Sequence, residues 1–205
     1  MAKLSFRYGA MGCGKTTQLL QVAYNYEKNG FKILVLKPEV DKKGGDSVVS
    51  RLGVERRVDV VIKKDIPIIE QIDLDGLHSI IVDEAQFLNE KQVEELWLIA
   101  KVFDISVIAY GLKTTFQGHF FTGSLPLMEK ADETEELVTI CNCGKKAKFN
   151  ARKLGEEYTL SGDEVAIDGI DATYEAMCSE CYIEKVLKID KENVKQKVKS
   201  LNTIK

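Results

Sequence analysis

The chain has 205 residues, enough for one well-packed core or for one domain with a small appendage. Its acidic and basic residues nearly balance, giving a net charge of −3, so charge alone gives no reason to expect a nucleic-acid partner. No apolar run approaches the roughly 18–20 residues of a membrane-spanning helix. The N-terminus has no signal-peptide core, so we expect a cytoplasmic protein without a membrane partner. In that compartment the five cysteines are expected as thiols or metal ligands rather than as disulfides.

Strands and helices alternate along the first half of the chain. In chain order the pattern predicts a strand at 3–8, a helix at 15–29, a strand at 31–37, a strand at 57–62, a short helix near 65–73, a strand at 78–84, a helix at 89–103 with Asn89 as its N-cap, and a strand at 105–111. The polar, glycine-containing segment 38–56 is expected to be mobile. This alternation predicts an α/β fold with a mostly parallel sheet and helices on both faces.

The character of the sequence changes after about residue 138. Four cysteines follow, together with hairpin-like pieces at 147–153 and 163–169 and a short helix at 179–188. We therefore expect three parts, namely a nucleotide-binding α/β domain at 1–138, a small zinc-binding domain at 139–188, and a lysine-rich, flexible tail at 189–205.

The stretch Gly9–Thr16, GAMGCGKT, fits the phosphate-loop pattern G-x-x-x-x-G-K-S/T at every fixed position. Its glycines allow successive backbone N–H groups to point into one concavity, and the loop enters a helix N-terminus, which favours an anion. Lys15 would add charge at the β- and γ-phosphates of ATP, and the Thr16 hydroxyl would ligate Mg²⁺. The predicted nucleotide contacts here are Gly9, Ala10, Met11, Gly12, Cys13, Gly14, Lys15, Thr16 and Thr17.

Two acids end the apolar strand at 78–84, and this arrangement is typical of a Walker B segment. Asp83 would hold Mg²⁺, because an acid at the carboxyl end of a neighbouring parallel strand lies beside the phosphate loop. Glu84 would act as a general base toward a hydroxyl group or water. Ala85 and Gln86 extend this nucleotide-contacting segment. The string DEAQ also resembles a helicase box, so this pair alone leaves both an ATPase and a kinase open.

The four later cysteines form two pairs, Cys141-x-Cys143 and Cys178-x-x-Cys181. The second pair has the separation common in zinc knuckles, and residues two apart on an extended segment face the same way. Four thiolates suit a closed, tetrahedral, structural Zn²⁺ site. Such a site would join the two ends of the intervening segment.

The ordered set of these motifs resembles the cytosolic, zinc-containing thymidine kinase family. It comprises the phosphate loop, the string DEAQF, the string YGLKTTFQGHFF, and four cysteines around a segment that contains VAIDG and a tyrosine. The resemblance implies a P-loop, RecA-like sheet and a zinc-bound "lasso" over the nucleoside. It also implies transfer of the ATP γ-phosphoryl group to the 5′-hydroxyl of thymidine, or of deoxyuridine, in pyrimidine salvage, by a homotetramer.

The same resemblance implies roles for individual residues. Glu84 matches the family's catalytic base, and Arg51 matches a basic residue near the phosphates. The residues that it places around the nucleoside are Met11, Phe87, Phe116, Phe121, Val165, Ile167, Gly169 and Tyr174.

The residues leave three alternatives to a thymidine kinase. A zinc-containing P-loop ATPase that acts on nucleic acid is favoured by DEAQ and the lysine-rich tail, but disfavoured by the chain's length and net acidity. A kinase for another nucleoside would carry the same phosphate chemistry. A regulatory nucleotide-binding module without turnover is disfavoured by Glu84.

Overall fold

The computed structural model describes residues 1–41, 45–163 and 172–195. Its strands are β1 Leu4–Tyr8, β2 Ile33–Pro38, β3 Ser47–Val49, β4 Glu55–Arg57, β5 Val60–Ile62, β6 Ser79–Val82, β7 Ser106–Gly111, β8 Glu133–Glu136, β9 Phe149–Leu154, β10 Glu157–Thr159 and β11 Ala172–Met177. Its α-helices are α1 Lys15–Lys28, α2 Ile68–Gln71, α3 Glu90–Val102, α4 Ser124–Lys130 and α5 Ser179–Cys181.

Six parallel strands form the central sheet, in the order β5-β2-β6-β7-β1-β8. The central strands are apolar because both of their faces are covered, and all four residues of β6 are buried. This arrangement confirms the predicted α/β fold. Since all six strands run the same way, their carboxyl ends share one edge of the sheet, which is where such sheets bind ligands.

Helices cover both faces of this sheet, as the alternation predicts. On one face, Leu19, Leu20 and Ala23 of α1 pack in the same buried cluster as Ile81 and Tyr110. On the other face, α2, α3 and α4 bury residues against a cluster that contains Phe6, Ile80 and Val107. No helix in the described part of the chain has both the length and the hydrophobicity that crossing a bilayer requires.

The N-terminus of α3 is built by the predicted cap. Asn89 Oδ1 accepts a hydrogen bond from the Gln92 backbone N–H at 2.9 Å, and Gln92 Oε1 accepts one from the Asn89 N–H at 3.2 Å. This reciprocal pair is a capping box, which satisfies donors that a helix start leaves without partners. Asn89 Nδ2 also donates to Lys64 O at 2.9 Å, so the same side chain fixes the preceding loop.

The segment 38–56 contains more structure than the sequence suggests. Its described part includes an antiparallel hairpin of β3 and β4, in which Val48 is buried against α1. The predicted strand at 57–62 is correspondingly shorter, because Arg57 belongs to the hairpin and the sheet strand starts at Val60. The sequence prediction also omitted α4 and β8. Strand β8 lies at the edge of the sheet, and all four of its residues are exposed.

The later part of the chain forms a three-stranded antiparallel sheet in the order β10-β9-β11, packed on its own apolar cluster. The predicted helix at 179–188 is α5 followed by a π-helical turn at Tyr182–Val186. Most of the predicted piece at 163–169 lies outside the described residues, as does the tail from 196. Residues 191–195 are helical. The division into domains at 138 and 188 stays a prediction.

Replacing Asn89 by Ala tests the role of this cap in stability. We expect Asn89→Ala to lower the free energy of unfolding by about 1–2 kcal/mol, because both the helix start and the loop carbonyl of Lys64 lose a partner. Urea denaturation followed by circular dichroism measures the change. Asn89→Ser keeps a capping oxygen and should retain most of the stability, and a wild-type midpoint in the Ala variant would contradict this role.

Candidate active site

The phosphate loop follows β1 and leads directly into α1. Gly12 and Gly14 adopt left-handed backbone conformations, with φ angles of 81° and 85°, which side chains other than glycine rarely allow. A Cβ atom at Gly9 would lie 2.3 Å from the Leu137 carbonyl oxygen, so no larger residue fits there. These three glycines therefore produce the tight curve that the motif predicts.

Lys15 is folded into the loop instead of extending into solvent. Its side chain is buried, and Nζ donates to the carbonyl oxygens of Gly9 at 3.3 Å and Ala10 at 3.4 Å. The sulfur of Cys13 lies 3.6 Å from the same nitrogen. The ammonium group is thus held inside the curve of the loop, where a phosphate group could replace these weak, long contacts.

A cavity of about 300 Å³ opens in front of the loop, within the usual size range of ligand pockets. Its lining unites the loop with the hairpin and with the end of the sheet; the lining residues are Met11, Gly12, Gly14, Lys15, Thr16, Thr17, Val49, Arg51, Leu52, Glu84 and Leu112. Arg51 Nη1 lies 3.4 Å from the point where a Cβ atom of Gly12 would be, so its charge overhangs the loop. Gly9 and Ala10 instead line a second cavity, of about 360 Å³, behind the loop.

Asp83 is a buried carboxyl group directly after β6. Its Oδ1 atom has no hydrogen-bond partner in the described part of the chain, although the side chain is only 4% exposed. Burial, and secondly the neighbouring charge of Glu84, raise the pKa of Asp83 to about 7, against smaller opposing effects of the Glu84 backbone N–H and of the Lys15 charge. An inward-facing, unpaired carboxylate oxygen suits a hard divalent cation such as Mg²⁺, which prefers oxygen ligands.

Glu84 reaches the cavity from a constrained backbone. Its φ of 47° and ψ of 37° are left-handed, a conformation that costs energy for a residue with a side chain and that clusters at functional sites. Gln86 Nε2 donates to Glu84 Oε2 at 2.5 Å, and Gln86 Oε1 accepts from the Leu112 N–H at 2.9 Å. Gln86 is almost fully buried, so it fixes the direction of the Glu84 carboxylate.

Gln86 and Ala85 were expected to contact the nucleotide; both are buried, and neither is among the residues that line the cavity. The orienting contact of Gln86 is one that sequence reasoning missed. The sequence indicates only that Gln86 lies two residues after Glu84. That spacing does not reveal the hydrogen bond to Leu112, which directly follows the neighbouring strand β7.

The predicted aromatic residues do not line this cavity and form two groups, Phe87 with Phe121, and Phe116 with Tyr174 around Arg152. The Phe87 and Phe121 rings meet edge to face, with centroids 5.8 Å apart. Phe116 and Phe121 are buried, whereas Phe87 and Tyr174 are partly exposed. The predicted residues Val165, Ile167 and Gly169 lie outside the described residues.

One contact across the site was not predicted. Asn150 of β9 is buried, and its Oδ1 accepts a hydrogen bond from the Met11 backbone N–H at 2.7 Å. The two residues are 139 positions apart, so local sequence patterns carry no signal for this pair. Ala10, one residue earlier, packs into the apolar cluster of the three-stranded sheet. The phosphate loop is therefore attached to that sheet by both a polar and an apolar contact.

The four predicted metal ligands do come together. The sulfur atoms of Cys141, Cys143, Cys178 and Cys181 all lie within 4.8 Å of one another. Those of Cys143 and Cys178 are 3.6 Å apart, close to the spacing of two thiolates on one tetrahedral zinc ion. Gly144 has a φ of 83° and donates to Cys141 O at 2.8 Å, which forms the tight turn between the first pair and Lys145. The donor set and its geometry suit zinc.

Crowding makes these thiols titrate unequally. Burial opposes ionisation of Cys141, but hydrogen bonds from the backbone at Cys143 and Cys178 outweigh it and lower its pKa to about 6. The backbone N–H of Cys181 lowers the pKa of Cys178. The neighbouring sulfurs, with Cys143 first, raise the pKa of Cys181 to about 12. Some of the four thiols thus ionise easily, and a cation that binds all of them would displace the remaining protons.

Comparison with known proteins identifies the family of the chain. The family model described as thymidine kinase matches residues 2–182. The thymidine kinase of Shewanella oneidensis is 42% identical over 190 residues, covering 90% of this chain and 98% of that protein. The thymidine kinase of Enterobacteria phage T4 is 38% identical over 198 residues, covering 92% and 100%. A Pif1 helicase structure aligns with a TM-score of 0.39 at 17% identity, over 67% of this chain and 40% of the helicase, too distant to bear on function. The family match and the coverage of these relatives show that the chain belongs to the thymidine kinase family of ATP-dependent nucleoside kinases.

Proposed function

We propose that this protein transfers the γ-phosphoryl group of ATP to the 5′-hydroxyl of thymidine, giving thymidine monophosphate in pyrimidine salvage. The observation that carries the proposal is the position of Glu84. Its carboxylate faces the same cavity as Lys15 and Thr16, and Gln86 fixes its direction. A base held beside a phosphate loop is suited to an alcohol acceptor that binds in that cavity.

The phosphate loop and Lys15 hold the β- and γ-phosphates of ATP. Thr16 and Asp83 are the residues that would hold Mg²⁺, which when bound neutralises charge on the phosphate oxygens. Arg51 overhangs the loop and adds a positive charge on the open side. This role for Asp83 is supported by its buried, unpaired Oδ1 atom, which is costly unless a cation binds it.

Glu84 accepts the proton of the 5′-hydroxyl as that oxygen attacks the γ-phosphorus. The bond from the γ-phosphorus to the bridging oxygen of ADP breaks in the same step, and ADP leaves with the electron pair. Lys15 and Arg51 stabilise the charge that develops on the transferred group. Gln86 keeps the carboxylate aimed at the hydroxyl, so little reorganisation is needed during the reaction.

The nucleoside base would lie against Met11, Phe87, Phe116 and Phe121, with Tyr174 closing the site. The edge contact of Phe87 with Phe121 supports a preformed aromatic wall. Backbone groups of Val165, Ile167 and Gly169 are proposed to bind the pyrimidine edge. Thymidine is the proposed substrate, and deoxyuridine is a second acceptor of the same class.

Structural zinc is proposed at the four cysteines, where it joins the chain before β9 to the chain after β11. We further propose a homotetramer, as the resemblance to the family implies, and a cytoplasmic location. The thiol cluster supports that location, because a reducing compartment preserves thiolate ligands.

One assay separates this function from its alternatives. The purified protein is incubated with Mg²⁺, ATP labelled at the γ-phosphate, and in turn thymidine, deoxyuridine and other nucleosides. A labelled nucleoside monophosphate, formed best with thymidine, supports the proposal. Labelled phosphate released only when nucleic acid is added would instead indicate an ATPase, and a monophosphate formed only from another nucleoside would replace thymidine as the substrate.

The base is tested by Glu84→Gln, which keeps the shape of the side chain and removes its ability to accept the proton. We expect kcat to fall by about 10²–10⁴, the usual contribution of a general base. Binding of ATP and thymidine should persist, as measured by calorimetry. Glu94→Gln, at an exposed position on α3, is the matched control and should leave kcat unchanged. Unaltered kcat in Glu84→Gln would show that another group accepts the proton.

The metal site is tested by elemental analysis and by Cys178→Ser. We expect one zinc ion per wild-type chain, and we expect Cys178→Ser to lose zinc, melt at a lower temperature and show a raised KM for thymidine. The reason is that Cys178 lies directly after β11, so the metal fixes one end of the three-stranded sheet. Well-folded, active wild-type protein without any zinc would refute this assignment.

Asp83 generates a prediction about pH. A carboxyl group whose pKa is raised by folding weakens the fold as the pH rises from its ordinary value near 4 to the folded value of about 7. Without Mg²⁺ or nucleotide, the unfolding free energy of Asp83→Asn minus that of the wild type should therefore increase between pH 5 and pH 7. The increase should be at most about 1.4 kcal/mol per pH unit.

Chemical denaturation at several pH values measures this difference, which cancels the titration of groups that do not interact with Asp83. Asp75→Asn, the same substitution at an exposed position, provides the control. A difference between wild type and Asp83→Asn that is constant with pH would contradict the raised pKa.

A further inference from the structure

Arg152 is a buried charged residue at the centre of the three-stranded sheet. It lies on β9, opposite Thr159 of β10 and Tyr174 of β11. The residue is only 3% exposed. A guanidinium group loses its hydration when it is buried, so its position is unfavourable unless other contacts compensate.

The contacts of Arg152 are mostly with aromatic rings. Its Cζ atom lies 4.9 Å from the centre of the Phe116 ring and 6.0 Å from the centre of the Tyr174 ring. Its Nη1 donates to the Asp163 carbonyl oxygen at 2.9 Å. Within the described residues it forms no salt bridge, and its Nε has no hydrogen-bond partner. A planar guanidinium group suits this position because it can interact with two aromatic rings and donate a hydrogen bond at the same time.

The loop that carries Phe116 is held by residues that flank the same sheet. Tyr182 Oη donates to the Phe116 carbonyl oxygen at 2.6 Å, and Gln117 Nε2 donates to the Leu160 carbonyl oxygen at 2.8 Å. These bonds hold the backbone of the loop, and Arg152 is the charged group that contacts the ring itself. Gly162 approaches the guanidinium so closely that a Cβ atom there would lie 3.2 Å from Nη1. Backbone and aromatic groups from several segments of the chain therefore surround the guanidinium group.

We propose that Arg152 is a positioning residue for nucleoside binding, whose guanidinium fixes the Phe116 and Tyr174 rings before the nucleoside arrives. The proposal rests on the proposed function, in which these two rings belong to the nucleoside site. Arg152 makes its ring contacts and its hydrogen bond with Phe116, Tyr174 and Asp163, none of which belongs to the phosphate loop. Its loss should therefore weaken nucleoside binding and leave ATP binding and phosphoryl transfer intact.

The test is Arg152→Met, which keeps an unbranched apolar stem but is shorter and has neither charge nor hydrogen-bond donors. We expect the KM for thymidine to rise by about tenfold or more, the size expected for a lost charged hydrogen bond together with cation–π contacts. At saturating thymidine, kcat and the KM for ATP should stay within about twofold of wild type. A variant that is merely less stable would instead lower kcat, through a smaller folded fraction, and leave the KM for thymidine unchanged.

Lys153→Met is the matched control. Lys153 is the next residue on β9, so its side chain points to the other face of the sheet, where it pairs with Glu156 at 3.4 Å. Its kinetic constants should equal those of wild type. If Arg152→Met does not fold, Arg152→Gln, which has an amide NH2 group as donor but no charge, takes its place with the same expected direction.

Hydrogen exchange of the free protein gives a readout that needs no substrate. Amides of 157–163 should exchange faster in Arg152→Met than in wild type and in Lys153→Met, because the Asp163 carbonyl has lost its donor. If the wild type phosphorylates no nucleoside and exchange is still faster in Arg152→Met, the structural contact of Arg152 is supported and the proposed function is refuted. An unchanged KM for thymidine in an active variant, or unchanged exchange, would overturn the role of Arg152.

Discussion

The site depends on the parallel alignment of three neighbouring strands, β6, β7 and β1. Because they end at one edge of the sheet, the acids after β6, Leu112 after β7 and the phosphate loop after β1 become neighbours without any long connection between them. Two hydrogen bonds, from Leu112 to Gln86 and from Gln86 to Glu84, connect the residues that follow β7 with those that follow β6. The apolar strands that fill the core thereby also set the direction of a carboxylate, so stability and chemistry share the same residues.

That edge also concentrates groups that weaken the fold. Asp83 is buried with an unpaired oxygen, Glu84 has a left-handed backbone, and the ammonium of Lys15 makes only long contacts with loop carbonyls. Each is unfavourable in isolation, and in the proposed function a triphosphate and a cation would supply the partners that Lys15 and Asp83 lack. The sheet beneath, with β6 and β7 buried almost throughout, is rigid enough to hold them in place.

The sequence predicts those parts of the fold whose signals are local. Apolar periodicity located β1, α1, β2 and β6, and the Asn89 cap gave the start of α3 to the residue. The hairpin of β3 and β4 was missed because its strands are three residues long and one of them is ERR, which looks like solvated loop. Contacts between distant segments, such as Asn150 with Met11 and Arg152 with Phe116, were also missed, since no short-range pattern encodes which side chains meet across two sheets.

The attachment of the phosphate loop to the three-stranded sheet has a consequence for how the chain can be divided. Ala10 shares an apolar cluster with Cys141, Cys178 and Tyr182, and the N–H of Met11 has its acceptor on β9. A fragment that stops before the first cysteine would keep every residue of the phosphate-loop motif, yet would expose Ala10 to water and remove the acceptor of Met11. The phosphate loop is thus held in part by residues that lie far later in the chain, so such a fragment would contain the motif without the contacts that hold its backbone.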